Sequence, residues 1–167
     1  METVKIISTS RQPVPALRFI GKKYSDADRV DGLFSAKWDD WFENDWFSQL
    51  EALGPLDGWA DYMGLMGHED GEFKYWIGMF LPADTPVPDG FGHMDYPACN
   101  LGVCRLHGRE DSIYGNEPMC CDRLQQEGDV MLDQEFICFE RDLACDDPAV
   151  KSLPEGEMLL DICFFIK

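Results

Sequence analysis

The chain is short of several things, and each shortage removes a class of function. Of its 167 residues only 14 are lysine or arginine, against 32 aspartate or glutamate, which gives a formal charge of −18. So acidic a surface repels nucleic-acid phosphates and anionic membranes at long range, and argues against direct nucleic-acid binding by this chain. No stretch approaches the ~18 uncharged residues that a membrane span requires. Met1 to Gly21, with Lys5, Arg11 and two prolines, holds no secretory apolar run, so a cytoplasmic protein is expected. Histidine is sparse: His68, His93 and His107 have no second His or Cys at a recognised ligand spacing. Cys99-x4-Cys104 and the vicinal Cys120-Cys121 do not match zinc pairs, and neither a metal site nor a cofactor is expected. A Gly-x-Ser-x-Gly elbow, a glycine-rich phosphate loop and a His-Glu-x-x-His helix are all missing. Serine-hydrolase, nucleotide and zinc-protease chemistry therefore have no residues to stand on.

What the chain has is apolar and aromatic surface, 45% hydrophobic and 13% aromatic, enough for the core of one ordinary domain or two small halves. Its seven cysteines are odd in number and spread through apolar segments, which fits reduced, buried thiols better than a disulfide framework.

The alternation in Leu17 to Tyr24 predicts a strand. From Leu33 to Leu53, Phe34, Trp38, Trp41, Phe42, Trp46, Phe47, Leu50 and Leu53 recur at spacings of three and four, predicting a helical region. Asn44-Asp45 is a candidate break in it, and Gly54-Pro55 its end. Strands follow at Trp59 to Gly67 and Phe73 to Leu81, joined by a turn at Asp70-Gly71. A proline-rich link, Pro82 to Gly90, leads to a strand within Met94 to His107, most plainly Leu101 to Leu106. A short helix is expected to start near Asn116 and stop at Gly128, followed by strands at Glu135 to Ala144 and Met158 to Ile166. Strand-helix-strand-strand thus occurs twice. The expected fold is α+β: duplicated modules with antiparallel sheets, related by a pseudo-twofold axis, with a ligand cleft between them. Repeat one spans about 15–82, a linker about 83–92 and repeat two about 93–167 of a single domain, 1–167.

The acidic pairs Asp39-Asp40 and Asp146-Asp147 fall on a polar helix face and in a loop, and read as solvated. Trp38, Trp41, Trp46, Trp59, Trp76 and Tyr75 are more aromatic surface than a core of this size needs. Helical spacing still makes most of them core, but ring faces beside a counter-charge also recognise cations. Phe136-Ile-Cys-Phe-Glu140 holds that counter-charge, a carboxylate on an apolar strand. Phe136, Cys138, Glu140 and Asp142 share one face of it. Glu140 either reaches solvent at the strand end, pairs with Arg105 or Lys74, or faces a pocket; an ionised carboxylate buried without a partner is costly.

Tyr75-Trp-Ile-Gly-Met79, Val87-Pro-Asp-Gly-Phe91, Tyr96-Pro-Ala98, Leu101-Gly-Val103, Phe139-Glu140 and Asp161 to Lys167 together resemble the GyrI-like small-molecule-binding domain. This is also called the AraC-type effector-binding domain, as found in bacterial multidrug-sensing transcription activators. The likeness runs from about Pro15 to the last residue. It implies a duplicated fold with a cleft between repeats, and a role for Glu140 as the buried acid that meets lipophilic cations. Tyr75, Trp76 and the stretch Ile162 to Phe164 would supply walls, with Trp41 and Phe136 as further candidates. Cys163 stands where relatives carry a tyrosine, and Asp142 where an apolar residue is usual, so a more acidic pocket or a raised Glu140 pKa is expected. No DNA-binding helical domain precedes the module in this sequence, which is expected to be a stand-alone member acting on transcription only through a partner. The resemblance implies first a binding protein for an apolar, cationic organic ligand. It implies second a hydrolase of strained electrophilic rings, cyclopropane-like or epoxide-like, with Glu140 as general base. It implies third an inhibitor that associates with DNA gyrase.

Overall fold

The computed structural model describes residues 3–143 and 147–167. The described residues form eight strands and four α-helices: β1 (Lys5–Val14), β2 (Leu17–Ser25), α1 (Ser35–Glu43), α2 (Trp46–Glu51), β3 (Met63–Glu69), β4 (Glu72–Pro82), β5 (Gly92–Tyr96), β6 (Cys99–Arg109), α3 (Glu117–Gln126), β7 (Cys138–Asp142), α4 (Pro148–Lys151) and β8 (Glu157–Ile166). This is an α+β architecture with antiparallel pairing. Two compact units result, residues 14–99 and residues 1–13 with 100–167.

In the 14–99 unit the strands lie in the order β3-β4-β2-β5. Asp70 (φ 54°) and Gly71 (φ 80°) both take left-handed conformations, so the β3–β4 hairpin closes through the tight turn their sequence predicts. β2 and β4 meet at Gly21 and Gly78, where a Cβ on either would lie 2.1 Å from a carbonyl oxygen of the other strand. Only glycine permits that approach. The predicted helix does break at Asn44-Asp45: Asp45 sits at φ 55°, and α1 and α2 on either side of it contribute to one apolar cluster. That cluster brings Trp41, Phe47 and Leu50 down onto Ile20, Ile77, Met79 and Leu81. The opposite face of the sheet is also apolar, with Phe19, Leu65, Trp76 and Phe80 buried and Trp59 and Tyr96 packed edge-on against Phe80.

The other unit orders its strands β1-β6-β8-β7. Its register fixes two faces, because residues paired across antiparallel strands point the same way. One carries Glu140, Asp142, Leu160, Ile162, Gly102, Cys104 and Leu106. Helix α3 covers this face: a Cβ on Gly102 would lie 3.0 Å from the Leu124 side chain, and Cys104 and Cys120 share a hydrogen bond. The other face carries Val103, Arg105, Phe139, Arg141, Asp161, Cys163 and Phe165.

Three elements differ from expectation. β1 and β5 are strands that the apolar pattern does not reveal, since both are largely exposed and alternate weakly. β5 pairs with β2 and so falls in the 14–99 unit, while the first residues of the chain fall in the other. The loop after β7 contains α4, whose N-cap is Asp147: its carboxylate accepts the Ala149 N–H at 2.8 Å. Its neighbours Ala144, Cys145 and Asp146 lie outside the described residues, so of the pair only Asp147 is placed, as a cap.

Candidate functional site

β7 is a short strand held at one edge by β8, and it begins with two buried residues, Cys138 and Phe139. Glu140 follows as a half-buried carboxyl, opposite Ile162. Helix α3 starts nearby with Glu117 in its first turn, where an acid is favoured by the helix dipole. There Glu117 and Glu140 meet carboxyl to carboxyl. Burial, the hydrogen bond and charge of Glu117, and then the charge of Asp142 together push Glu140 up to about 8. A like charge this close in a poorly solvated place disfavours ionisation of Glu140, which therefore keeps its proton near neutral pH. Among the described residues no lysine or arginine pairs with Glu140.

The simplest alternative for Glu140, an ion pair, fails because both candidate cations are engaged elsewhere. Arg105 forks onto Asp161 at 2.8 and 3.1 Å, on the opposite face of the sheet, and Lys74 binds Glu72 at 3.1 Å. Asp161 also receives Arg141 at 3.4 Å and is 2% exposed. Like Glu140, Asp161 is a carboxylate in an apolar strand, and the same sequence signal would have found it.

The remaining expected residues are dispersed. Cys163 pairs with Phe139, on the face away from Glu140, and burial pushes its thiol up to about 12. It belongs with the Asp161 cluster and is not a neighbour of the Glu140 carboxyl. Phe136 is buried but precedes the strand, whose pairing to β8 is prolonged by Phe165 N–H donating to the Ile137 carbonyl at 2.9 Å. Asp142 shares the face of Glu140 and is exposed. Tyr75 and Trp76 are consecutive on β4, and alternation sends them to opposite faces. Tyr75 lies on the helix side, stacked on Phe34 at 4.5 Å and accepting the Trp38 indole N–H at 3.1 Å. Trp76 stands edge-on to Phe19 at 6.2 Å, on the side away from α1 and α2. They do not form one wall. Trp41 has no exposed surface: Phe47, Trp46 and Phe91 surround it and its indole N–H donates to the Tyr24 hydroxyl at 3.0 Å, so it is core.

Sequence reasoning missed Glu117 and Tyr114. Glu117 reads as an ordinary first-turn acid, and no local pattern places it over a strand twenty residues on. Tyr114, half exposed, lines an open hollow of about 370 Å³ with Glu110, Asp142, Leu143, Val150, Met158 and Leu159. No group of three or more His, Cys, Asp or Glu side chains among the described residues is arranged to hold a metal ion. No helix among them is long and apolar enough to cross a membrane.

No family model and no curated protein matches the chain. Solved structures do. SAV2435 bound to tetraphenylphosphonium matches with a TM-score of 0.64 at 14% identity, over 96% of this chain and 94% of that one. A putative bacterial transcription regulation protein from Staphylococcus aureus MU50 matches with a TM-score of 0.59 at 15% identity, over 96% and 98%. A hydrolase from Listeria innocua matches with a TM-score of 0.53 at 11% identity, over 95% and 91%. At these identities the likeness establishes the fold alone.

Proposed function

We propose that this protein binds an apolar organic cation, with Glu140 as the group that meets its charge, and that binding is read out in transcription by a DNA-binding partner. One observation carries the reading: Glu140 is a half-buried carboxyl on an apolar strand, paired with another acid and with no cation among the described residues beside it. A soft, weakly hydrated cation supplies the missing charge at little desolvation cost, whereas a strongly hydrated ammonium would not. Binding of a cation then favours loss of the Glu140 proton. The similar fold of SAV2435, solved with tetraphenylphosphonium, supports the ligand class, and the Staphylococcus protein supports the link to regulation. Each unit contains the order strand, helix, strand, strand, as β2, α1–α2, β3, β4 in one and β6, α3, β7, β8 in the other, and this supports reading them as copies of one module.

Titration calorimetry with tetraphenylphosphonium at pH 8 tests the proposal. Glu140→Gln should weaken binding roughly tenfold to a hundredfold, as expected for loss of a desolvated counter-charge. Equal affinity in the variant rejects the electrostatic role.

A second reading is favoured by the same carboxyl. A group that titrates near neutrality is suited to take a proton from water, and the fold is shared with a protein described as a hydrolase. Turnover of a cyclopropane-bearing or epoxide substrate by the wild type, abolished in Glu140→Gln, would establish it. Without turnover across such a panel, binding alone stands.

A further inference from the structure

Asp142 follows Glu140 by two residues on the same face, which puts the two about 7 Å apart along the strand. Asp142 also lines, at the end of the strand, the open hollow formed with Glu110, Tyr114, Leu143, Val150, Met158 and Leu159. Its floor is aliphatic, its one ring is half exposed, and its two carboxylates form no ion pair among the described residues. Burial and then the charges of Asp142, Glu140 and Glu110 push the Tyr114 phenol up, so its hydroxyl lies within the field of all three. An aromatic face with counter-charges over an apolar floor is a cation-binding environment in its own right. It adjoins the acidic pair at Glu140.

We infer that the ligand class is dicationic: two cationic nitrogen centres about 6–9 Å apart on an apolar linker, one held at Glu140 and the other in the Tyr114–Asp142–Glu110 hollow. This rests on the reading of Glu140 as a cation site and adds the second charge and its spacing. Asp142, which departs from the family pattern, then acts as a specificity residue that selects two charges over one.

The probes are bis(trimethylammonium)alkanes with linkers of two to ten methylenes, each compared by calorimetry with the alkyltrimethylammonium of equal carbon number. Linkers of about four to six methylenes should bind roughly tenfold tighter than their monocationic partners, with weaker gains at either end of the series. Asp142→Asn with Glu110→Gln should erase that preference, bringing each dication to the affinity of its monocation. Both residues are exposed, so folding should survive, and Tyr114→Leu gives an independent check through the ring alone. A dication advantage that is equal at all lengths and survives these substitutions is only the long-range pull of an acidic surface, and overturns the inference. If no dication exceeds its monocation while monocation binding still needs Glu140, the inference fails and the proposed function stands. If neither class binds, both fall.

Discussion

Residues 14–99 place cations of their own over aromatic faces. The Lys22 ammonium sits 4.3 Å from the Trp46 ring and 4.7 Å from Phe91, Arg29 lies 4.5 Å from Phe34, and Lys23 is 5.9 Å from Trp76. In the other unit the imbalance runs the opposite way, with Glu140 set beside Glu117 and Asp142 and raised to about 8. Aromatic abundance therefore marks the half whose ring faces carry cations from its own chain, and the unbalanced carboxyl lies in the other. Within the second unit the contrast sharpens. Asp161 and Glu140 are both acids on apolar strands, yet Asp161 has two guanidiniums and Glu140 has none among the described residues.

The strongest way to break this comparison is Trp41→Ala. A fully buried indole in a packed cluster should cost about 3–5 kcal/mol in denaturant unfolding. Little loss of stability together with altered cation affinity would make Trp41 a ligand wall after all. Asp161→Ala comes next, at about 2–3 kcal/mol, less than for a wholly buried pair because the Arg105 and Arg141 side chains keep 34% and 26% of their exposure.

The pH dependence of Glu140 is smaller and more diagnostic. Its folded pKa is raised, to about 8, so its contribution to stability is complete below about pH 4.5 and is lost as pH rises through about 8. Thermal unfolding of wild type should fall relative to Glu140→Gln across that window, by on the order of 1–2 kcal/mol in all. Glu117, Asp142, Tyr114 and Cys138 face the same carboxyl and are common to both proteins, so the difference reports Glu140 together with its interactions with them. Cation affinity should rise over the same range, with proton release measured by calorimetry in buffers of different ionisation enthalpy. The least effect belongs to Lys22→Met, which keeps the aliphatic stem and removes the charge over Trp46. About 0.5–1 kcal/mol should be lost, and no change would mean that this contact adds nothing.

Local chemistry made much of the fold readable. Asp70-Gly71 announces its hairpin, Asn44-Asp45 its helix break and Gly128 the end of α3, because each depends on a left-handed backbone conformation that few residues accept. β1 is silent in the sequence, since an exposed strand needs no apolar alternation. β5 is equally quiet, and its Gly92 has a reason only the fold supplies: a Cβ there would lie 3.1 Å from the Trp76 ring, which would have to shift to admit it. Glu140 was legible as an anomaly in one strand. Its proton partner was not, because Glu117 reaches it only through the packing of α3 on the sheet.

The uneven placing of aromatics also makes the protein spectroscopically lopsided. All five tryptophans, Trp38, Trp41, Trp46, Trp59 and Trp76, lie in residues 14–99, and Tyr114 is the lone tyrosine outside them. Indole emission therefore follows one unit alone. Compared through one denaturant titration with far-ultraviolet circular dichroism, which reports on strands of both units, it would tell whether the halves melt as a single cooperative body or in sequence.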